Sequence, residues 1–337
     1  MKIYSNSEFM DLKSLLIGRA DHAHWPKGDP YFDSMRAVST WTTPLKQGPI
    51  SDHIVQQANG ELEDFCEAMD KMGVAVHRPD PVDWSRVTDN LDHATTGMHS
   101  YSTRDLLLVI GDMVIECPTP TVSRQNEFRA FDRIRREAMH DGCRWIAAPR
   151  PRMLEGDYYT RDGRVHLTNN VPMFDAANIL KFGDKILYLV SSSGNEAGAE
   201  WLQSVVGTGH EVIKWTDVYA FSHIDSTLAI LNEKTIMANA TRVTQDSIPR
   251  FLRHCDVIWV EHMVPRGFDG FPYASEWIGM NVLSVDPETV VVDSIQEPLI
   301  RQLNDGGFKT VALPLSHSRT LGGGFHCTTL DLLREKF

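Results

Sequence analysis

The chain has 337 residues, and its 33 Lys and Arg against 45 Asp and Glu give a formal net charge of −12, which argues against nucleic acid as the main partner but leaves a small phosphorylated molecule open. A hydrophobic content of 42% is enough for a packed core and excludes disorder. No apolar run approaches the roughly 18–20 residues of a membrane span, the opening MKIYSNSEFMDLKSLLIG lacks a signal core, and scattered cysteines at 66, 117, 143, 255 and 327 without a CxxC read as free thiols in the cytoplasm.

In chain order, Leu15–Ile17 reads as a strand. A helix over 51–72 follows, begun by Ser51 with Asp52 near its positive end. Ile54, Val55, Ala58, Leu62, Phe65, Met69 and Met72 form one apolar stripe along it. Val74–His77 is the next strand. Asp105–Cys117 (DLLLVIGDMVIEC) holds two β-rich runs around Gly111-Asp112, a hairpin signal. A helix over 125–141, with Phe128, Phe131, Ile134 and Met139 near helical spacing, and a strand at Arg144–Ala147 complete a module of strand, strand, helix, strand.

The same order recurs three times. Ala177–Phe182 and Ile186–Val190 flank Gly183-Asp184, with a helix at Asn195–Val206 and a strand at Val212–Trp215. Leu228–Leu231 and Thr235–Ala238 flank Asn232-Glu233, with a helix over 245–254 and a strand at Val257–Val260. Met280–Val285 and Val290–Val292 precede a helix at Glu297–Asn304, ended by Gly306-Gly307, and a strand at Lys309–Leu313. A fifth module can be assembled from the two ends by pairing Leu15–Ile17 with a strand at His326–Leu330, which would close a ring and remove open sheet edges. No linker long enough to separate two domains is visible, so residues 1–337 read as a single domain. Stretches 19–50, 79–104 and 148–174 read as loop-rich, where binding sites often lie.

The sharpest local signal is Leu321-Gly-Gly-Gly-Phe-His-Cys327. Three glycines let backbone pass close to a ligand, and a cysteine held after them can act as a nucleophile if a base or cation accompanies it. In Ser222-His-Ile-Asp-Ser-Thr227, strand alternation would send His223 and Asp225 to one face, an imidazole for acid–base work beside a carboxylate for a cationic substrate. Asp175 could orient that histidine as the third member of a Cys-His-Asp set. A metal held by His223, Asp225, His326 and Cys327 is the competing reading, without HExxH or paired CxxC to support it. Asp105, Arg242 and Ser275 each stand near a module edge. Singly each reads as a solvated surface group, as does Arg104. If the first strands of the modules converge on an axis, Asp105, Asp175, His223, Asp225, Ser275 and Cys327 could share one cavity.

These residues resemble those of the arginine amidinotransferases, within the pentein group of guanidine-modifying enzymes. The matching stretches are RPDPVDWS (78–85), TRDLLLVIGDMVIE (103–116), FDAANILKFG (174–183), SGNEAGAEWLQSVVG (193–207), HIDST (223–227), SEWIGMNVL (275–283) and SHSRTLGGGFHCTTLD (316–331). They cover most of the chain from about residue 50 onward. The resemblance implies an α/β fold, a five-fold pseudosymmetric propeller of ββαβ modules, and a central site with neither metal nor organic cofactor. It implies Cys327 as nucleophile, His223 as acid and base, Asp175 as its orienting partner, Asp105 and Asp225 as guanidinium ligands, Arg242 as carboxylate ligand and Ser275 as an assisting group. The implied partners are L-arginine, which releases ornithine, and an amine acceptor.

Asn178 where the glycine-specific members have aspartate, a short 151–174 segment, and Ser222 in place of methionine resemble the inosamine-phosphate branch and weigh against glycine as acceptor. Lysine as acceptor, an arginine deiminase-type hydrolase and a non-catalytic arginine-binding module are the alternatives. Tyr219–Ser222 is a candidate for acceptor selection, and Ser318 and Arg319 for a phosphate contact. A homodimer is the base-rate expectation.

Overall fold

The computed structural model describes residues 1–37, 46–89, 93–150 and 152–337. Five three-stranded sheets carry the fold, and each has a central strand paired antiparallel on one side and parallel on the other. In chain order of their first complete hairpins, four sheets are Leu107–Ile110, Met113–Glu116 and Arg144–Ala147; Ile179–Phe182, Lys185–Leu189 and Glu211–Trp215; Leu228–Ile230, Thr235–Asn239 and Asp256–Val260; and Leu283–Asp286, Thr289–Asp293 and Lys309–Leu313. The fifth joins both ends of the chain. Leu12–Ile17 pairs antiparallel with Thr329–Arg334, Leu12 opposite Arg334, and parallel with Ala75–His77. The strand order expected from the sequence is therefore observed in all five sheets, including the one assembled from the termini.

Residues 4–7 bind three of the sheets together. Tyr4 donates its N–H to Leu332, Ser5 exchanges backbone bonds with Gly111, and Ser7 bridges to Phe182. The central strands read as continuous apolar runs because both faces are covered. Outside the sheets, the helix Asp52–Lys71 buries Ile54, Ala58, Leu62, Phe65 and Met69 in the same cluster as Leu15 and Ile17. Met72 falls past the helix end and is 40% exposed, so the expected stripe is one residue too long. No helix among the described residues is long and apolar enough to cross a membrane.

Three expectations need correction. The helix over 125–141 is α-helical only at Asp132–His140, after a 3₁₀ stretch at Glu127–Phe131, and Met139 faces solvent. The helix over 245–254 is two 3₁₀ turns, Gln245–Ser247 and Arg250–Leu252, separated at Pro249, which lacks the N–H an α-helix would need there. The loop-rich 148–174 stretch contains an antiparallel hairpin, Tyr158–Arg161 with Arg164–Leu167, turned by Asp162 and Gly163 at positive φ. Short pairs and a helix, Pro30–Ala37, likewise interrupt 19–50 and 79–104, while 38–45, 90–92 and residue 151 lie outside the described residues.

Candidate active site

One local device positions most of the candidate residues. The first strand of each of four sheets is entered through a 3₁₀ turn: Thr103–Asp105, Ala176–Asn178, Ile224–Ser226 and Glu276–Met280. Asp105 ends the first turn. Asp175, His223 and Ser275 are the extended residues that start the other three, and Asp225 lies inside the third. Cys327 occupies the corresponding place before Thr329–Arg334. His223 and Asp225 thus sit on a turn rather than a strand, so strand alternation is the wrong reason for their shared orientation. Ile224 between them is fully buried in the apolar core.

All seven residues singled out from the sequence, Asp105, Asp175, His223, Asp225, Arg242, Ser275 and Cys327, line one cavity of about 500 Å³. Cys327 is 2% exposed. Its thiol donates to Asp225 Oδ2 at 3.1 Å. Asn281 holds it from the other side, its Nδ2 donating to Sγ at 3.2 Å and its Oδ1 accepting from the Cys327 N–H at 2.9 Å. Burial, followed by the Asp225 and Asp105 carboxylates, pushes the Cys327 thiol well above its ordinary range.

The glycines explain how the thiol loop fits. Gly322 has φ +74°. A Cβ on Gly324 would lie 2.5 Å from the Asn281 Cβ, so only glycine lets this loop meet the asparagine.

His223 Nε2 lies 2.9 Å from Asp175 Oδ2, and Nδ1 lies 3.7 Å from Asp105 Oδ1. Burial would lower the imidazole pKa, but the Asp105 charge, the Asp175 hydrogen bond and the further carboxylates outweigh it and raise it to about 9. Burial also pushes Asp105 up, against His223 and Arg124, which ion-pairs with its Oδ2. Asp225 behaves oppositely: the penalty of burial is outweighed by His326, His223 and the thiol, holding it at about 2. Asp105 Oδ1 and Asp175 Oδ1 are buried without hydrogen-bond partners. The cavity therefore offers acidic oxygens, a buried thiol and a cationic imidazole within a few ångströms.

Arg242 is mostly buried, and Nη1 donates to Ser226 O, Ser226 Oγ and Thr227 Oγ1 at 2.9–3.2 Å. Every one of these partners is neutral, and burial lowers the guanidinium pKa. Such a cation is suited to an incoming anion.

No family model matches the sequence of the chain. It is 39% identical to inosamine-phosphate amidinotransferase 1 of Streptomyces glaucescens over 333 residues, covering 98% of this chain and 96% of that one. The solved structure of an inosamine-phosphate amidinotransferase from Streptomyces griseus superposes with a TM-score of 0.95 at 38% identity, covering 99% and 97% of the two chains. Mitochondrial glycine amidinotransferase of Gallus gallus is 31% identical, covering 99% of this chain and 83% of the relative. The chain belongs to the amidinotransferase family. It is a transferase that moves amidino groups.

One group at the site of this amidinotransferase carries no signal of its own in the sequence. Asn281 touches the thiol directly. His326 faces away from the cavity, with Nδ1 3.2 Å from Asp225 Oδ2 and Nε2 3.2 Å from Glu8 Oε2. Both its ring nitrogens are engaged, so the metal set His223, Asp225, His326 and Cys327 is not assembled. Among the described residues, those that bring three potential ligand atoms within 4.8 Å are Asp105, His223 and Cys327.

Behind His326, Glu8, Arg104, Lys181, Asp331 and Arg334 form a buried ionic network, with Arg104 Nη2 2.8 Å from Asp331 and Arg334 Nε 2.8 Å from it. Arg104 is thus a core residue and not a solvated surface group. Asn178 is fully buried and clamps the 189–193 turn through Leu189, Ser191 and Ser193. Arg319 is committed to the carbonyls of Ala274 and Arg266 and does not line the cavity, which removes it as a phosphate contact.

Proposed function

We propose that the protein transfers the amidino group of L-arginine, through a covalent amidino-Cys327, to the amine of an inosamine phosphate or a similar natural-product amine. The observation that carries this reading is the convergence of a thiol, an imidazole paired with a carboxylate, and two further carboxylates on one cavity. Similarity to amidinotransferases named for inosamine phosphate supports the acceptor.

The chemistry follows from the charges. Asp105 and Asp225 hold the planar guanidinium by charge-assisted bonds, and Arg242 holds the donor's carboxylate while Ser275 assists. Before arginine binds, burial and two carboxylates keep Cys327 as a thiol. The guanidinium brings positive charge beside the sulfur, and the thiol proton is lost to solvent. Thiolate attacks the guanidinium carbon. His223, oriented by Asp175, gives its Nδ1 proton to the leaving nitrogen, the carbon–nitrogen bond breaks, and ornithine departs. The amidino group stays on sulfur and His223 is neutral. The acceptor amine then attacks, His223 takes its proton, the carbon–sulfur bond breaks and thiolate returns. No step calls for a metal or organic cofactor.

Residues 1–337 are read as one catalytic domain, a five-fold pseudosymmetric α/β propeller. Five sheets of equal strand order and the pairing of the terminal strands support this. The test is incubation with L-arginine and hydroxylamine, then with an inosamine phosphate, glycine or lysine. Ornithine matched by hydroxyguanidine is expected, with the highest kcat/KM for the inosamine phosphate. Citrulline as the product, or a preference for glycine or lysine, would overturn the corresponding part.

A further inference from the structure

Three arginines line the cavity, and one of them, Arg124, is spent on Asp105 and Glu127. L-Arginine brings one carboxylate, which Arg242 alone can meet. A second cation, Arg164, also lines the cavity, at the start of the second strand of the 158–167 hairpin. Its guanidinium stands 4.0 Å above the centre of the Tyr219 ring. It is exposed and makes no salt bridge among the described residues, although Asp162 at the hairpin tip also lines the cavity.

Two further observations concern the same spot. The Tyr219 hydroxyl is buried without a hydrogen-bond partner, and it lies within the electrostatic reach of both Arg164 and Arg242. Across the hairpin, Arg164 is in register with Arg161, like charges directly opposite one another that leave this end of the hairpin cationic even with Asp162 between them. Two guanidinium groups and an unused hydroxyl donor together fit a dianionic oxyanion better than a carboxylate. A phosphate monoester carries close to two negative charges near neutrality.

We infer that Arg164 and the Tyr219 hydroxyl form the subsite for the acceptor's phosphate, beside Arg242. This rests on the amidino-transfer reading above and adds which residues select a phosphorylated amine. In the second half of the reaction ornithine has left, so the phosphate can share Arg242 as well. Arg164 and Tyr219 are specificity residues that touch the acceptor and take no part in bond breaking.

The experiment compares an inosamine phosphate with the same inosamine lacking phosphate, using wild type, Arg164→Ala, Arg164→Lys and Tyr219→Phe. The readout is the ratio of kcat/KM for the two acceptors. Loss of a charge-assisted contact lowers that ratio roughly 10- to 100-fold in Arg164→Ala and less in Arg164→Lys. Tyr219→Phe keeps the ring under the guanidinium and lowers the ratio about 3- to 10-fold. An unchanged ratio in both Arg164→Ala and Tyr219→Phe overturns the inference. So does a larger rise in KM for L-arginine than for the phosphorylated acceptor, which would place these groups on the donor. A wild type that forms ornithine yet does not prefer the phosphorylated amine overturns the phosphate subsite and leaves amidino transfer standing. A wild type that forms no ornithine from arginine with any amine defeats the underlying reading instead.

Discussion

Asp175→Asn tests the electrostatic core of the site. In the wild type, the burial penalty on the His223 imidazolium is outweighed by Asp105, Asp175 and Asp225, and its pKa is raised to about 9. Asp175 contributes twice, through a 2.9 Å hydrogen bond and through its charge. An amide keeps the shape and removes the charge, so the imidazolium loses one of its supports and the pKa falls. Losing one adjacent carboxylate moves such a group by on the order of one to two pH units. At pH 8 a group with a pKa of about 9 is roughly nine-tenths protonated. One titrating near 7.5 is only about a quarter protonated. In the proposed mechanism His223 is protonated when it expels ornithine, so the rate of ornithine release under single-turnover conditions is expected to decline with rising pH through about 9 in wild type. In Asp175→Asn that decline moves toward neutrality, and the plateau below it also drops because the ring is less well oriented. A stopped-flow or quench-flow pH profile reads both effects. A decline that stays near pH 9, or moves higher, would refute the claim that Asp175 holds His223 as its charged form.

Gly324→Ala drives a Cβ to within 2.5 Å of Asn281 Cβ; we expect a loss of about 1–3 kcal/mol of stability in urea unfolding, with ornithine release falling further because Asn281 must leave the thiol. Asn281→Ala strands the buried Cys327 N–H at a cost of about 1–3 kcal/mol and removes a donor to sulfur, so alkylation of Cys327 by iodoacetamide slows. Unchanged alkylation would show that Asn281 has no hold on the thiolate. Glu8 is held at about 2, its burial outweighed first by Lys181 and then by His326 and Arg104. A depressed carboxylate adds stability above its unfolded pKa near 4.5, and that stability is lost as the pH falls through about 2. Glu8→Gln should therefore flatten the acid dependence of the urea midpoint between pH 4.5 and 2, whereas an identical slope would contradict the network.

The fold was legible wherever the chain repeats a short apolar run, a tight turn and a second run. Gly111-Asp112 and Gly183-Asp184 mark their hairpins in the sequence because both glycines adopt positive φ there. The 158–167 hairpin is not legible in the sequence since its residues YYTRDGRVHL are mostly polar and exposed, leaving no apolar period to read. The break at Pro249 is visible in the sequence, where a residue without an N–H outweighs helical spacing. Within the site, Cys327, His223 and the aspartates carry local signals, a glycine run and turn-forming pairs. Asn281 and Glu8 carry none. Their partners stand 46 and 318 residues away, and only the meeting of separate sheets turns an ordinary asparagine into a group that holds the thiol and an N-terminal glutamate into one that holds His326 against Asp225.

The central claim is that the amidino group passes through sulfur. Intact mass measured after a short exposure to L-arginine without acceptor, followed by peptide mapping, addresses it most directly. The account predicts one added amidino group on Cys327, ornithine released in equal amount, loss of the adduct on adding an amine, and no adduct in Cys327→Ala. Ornithine formed without an adduct, or turnover retained by Cys327→Ala, would contradict it.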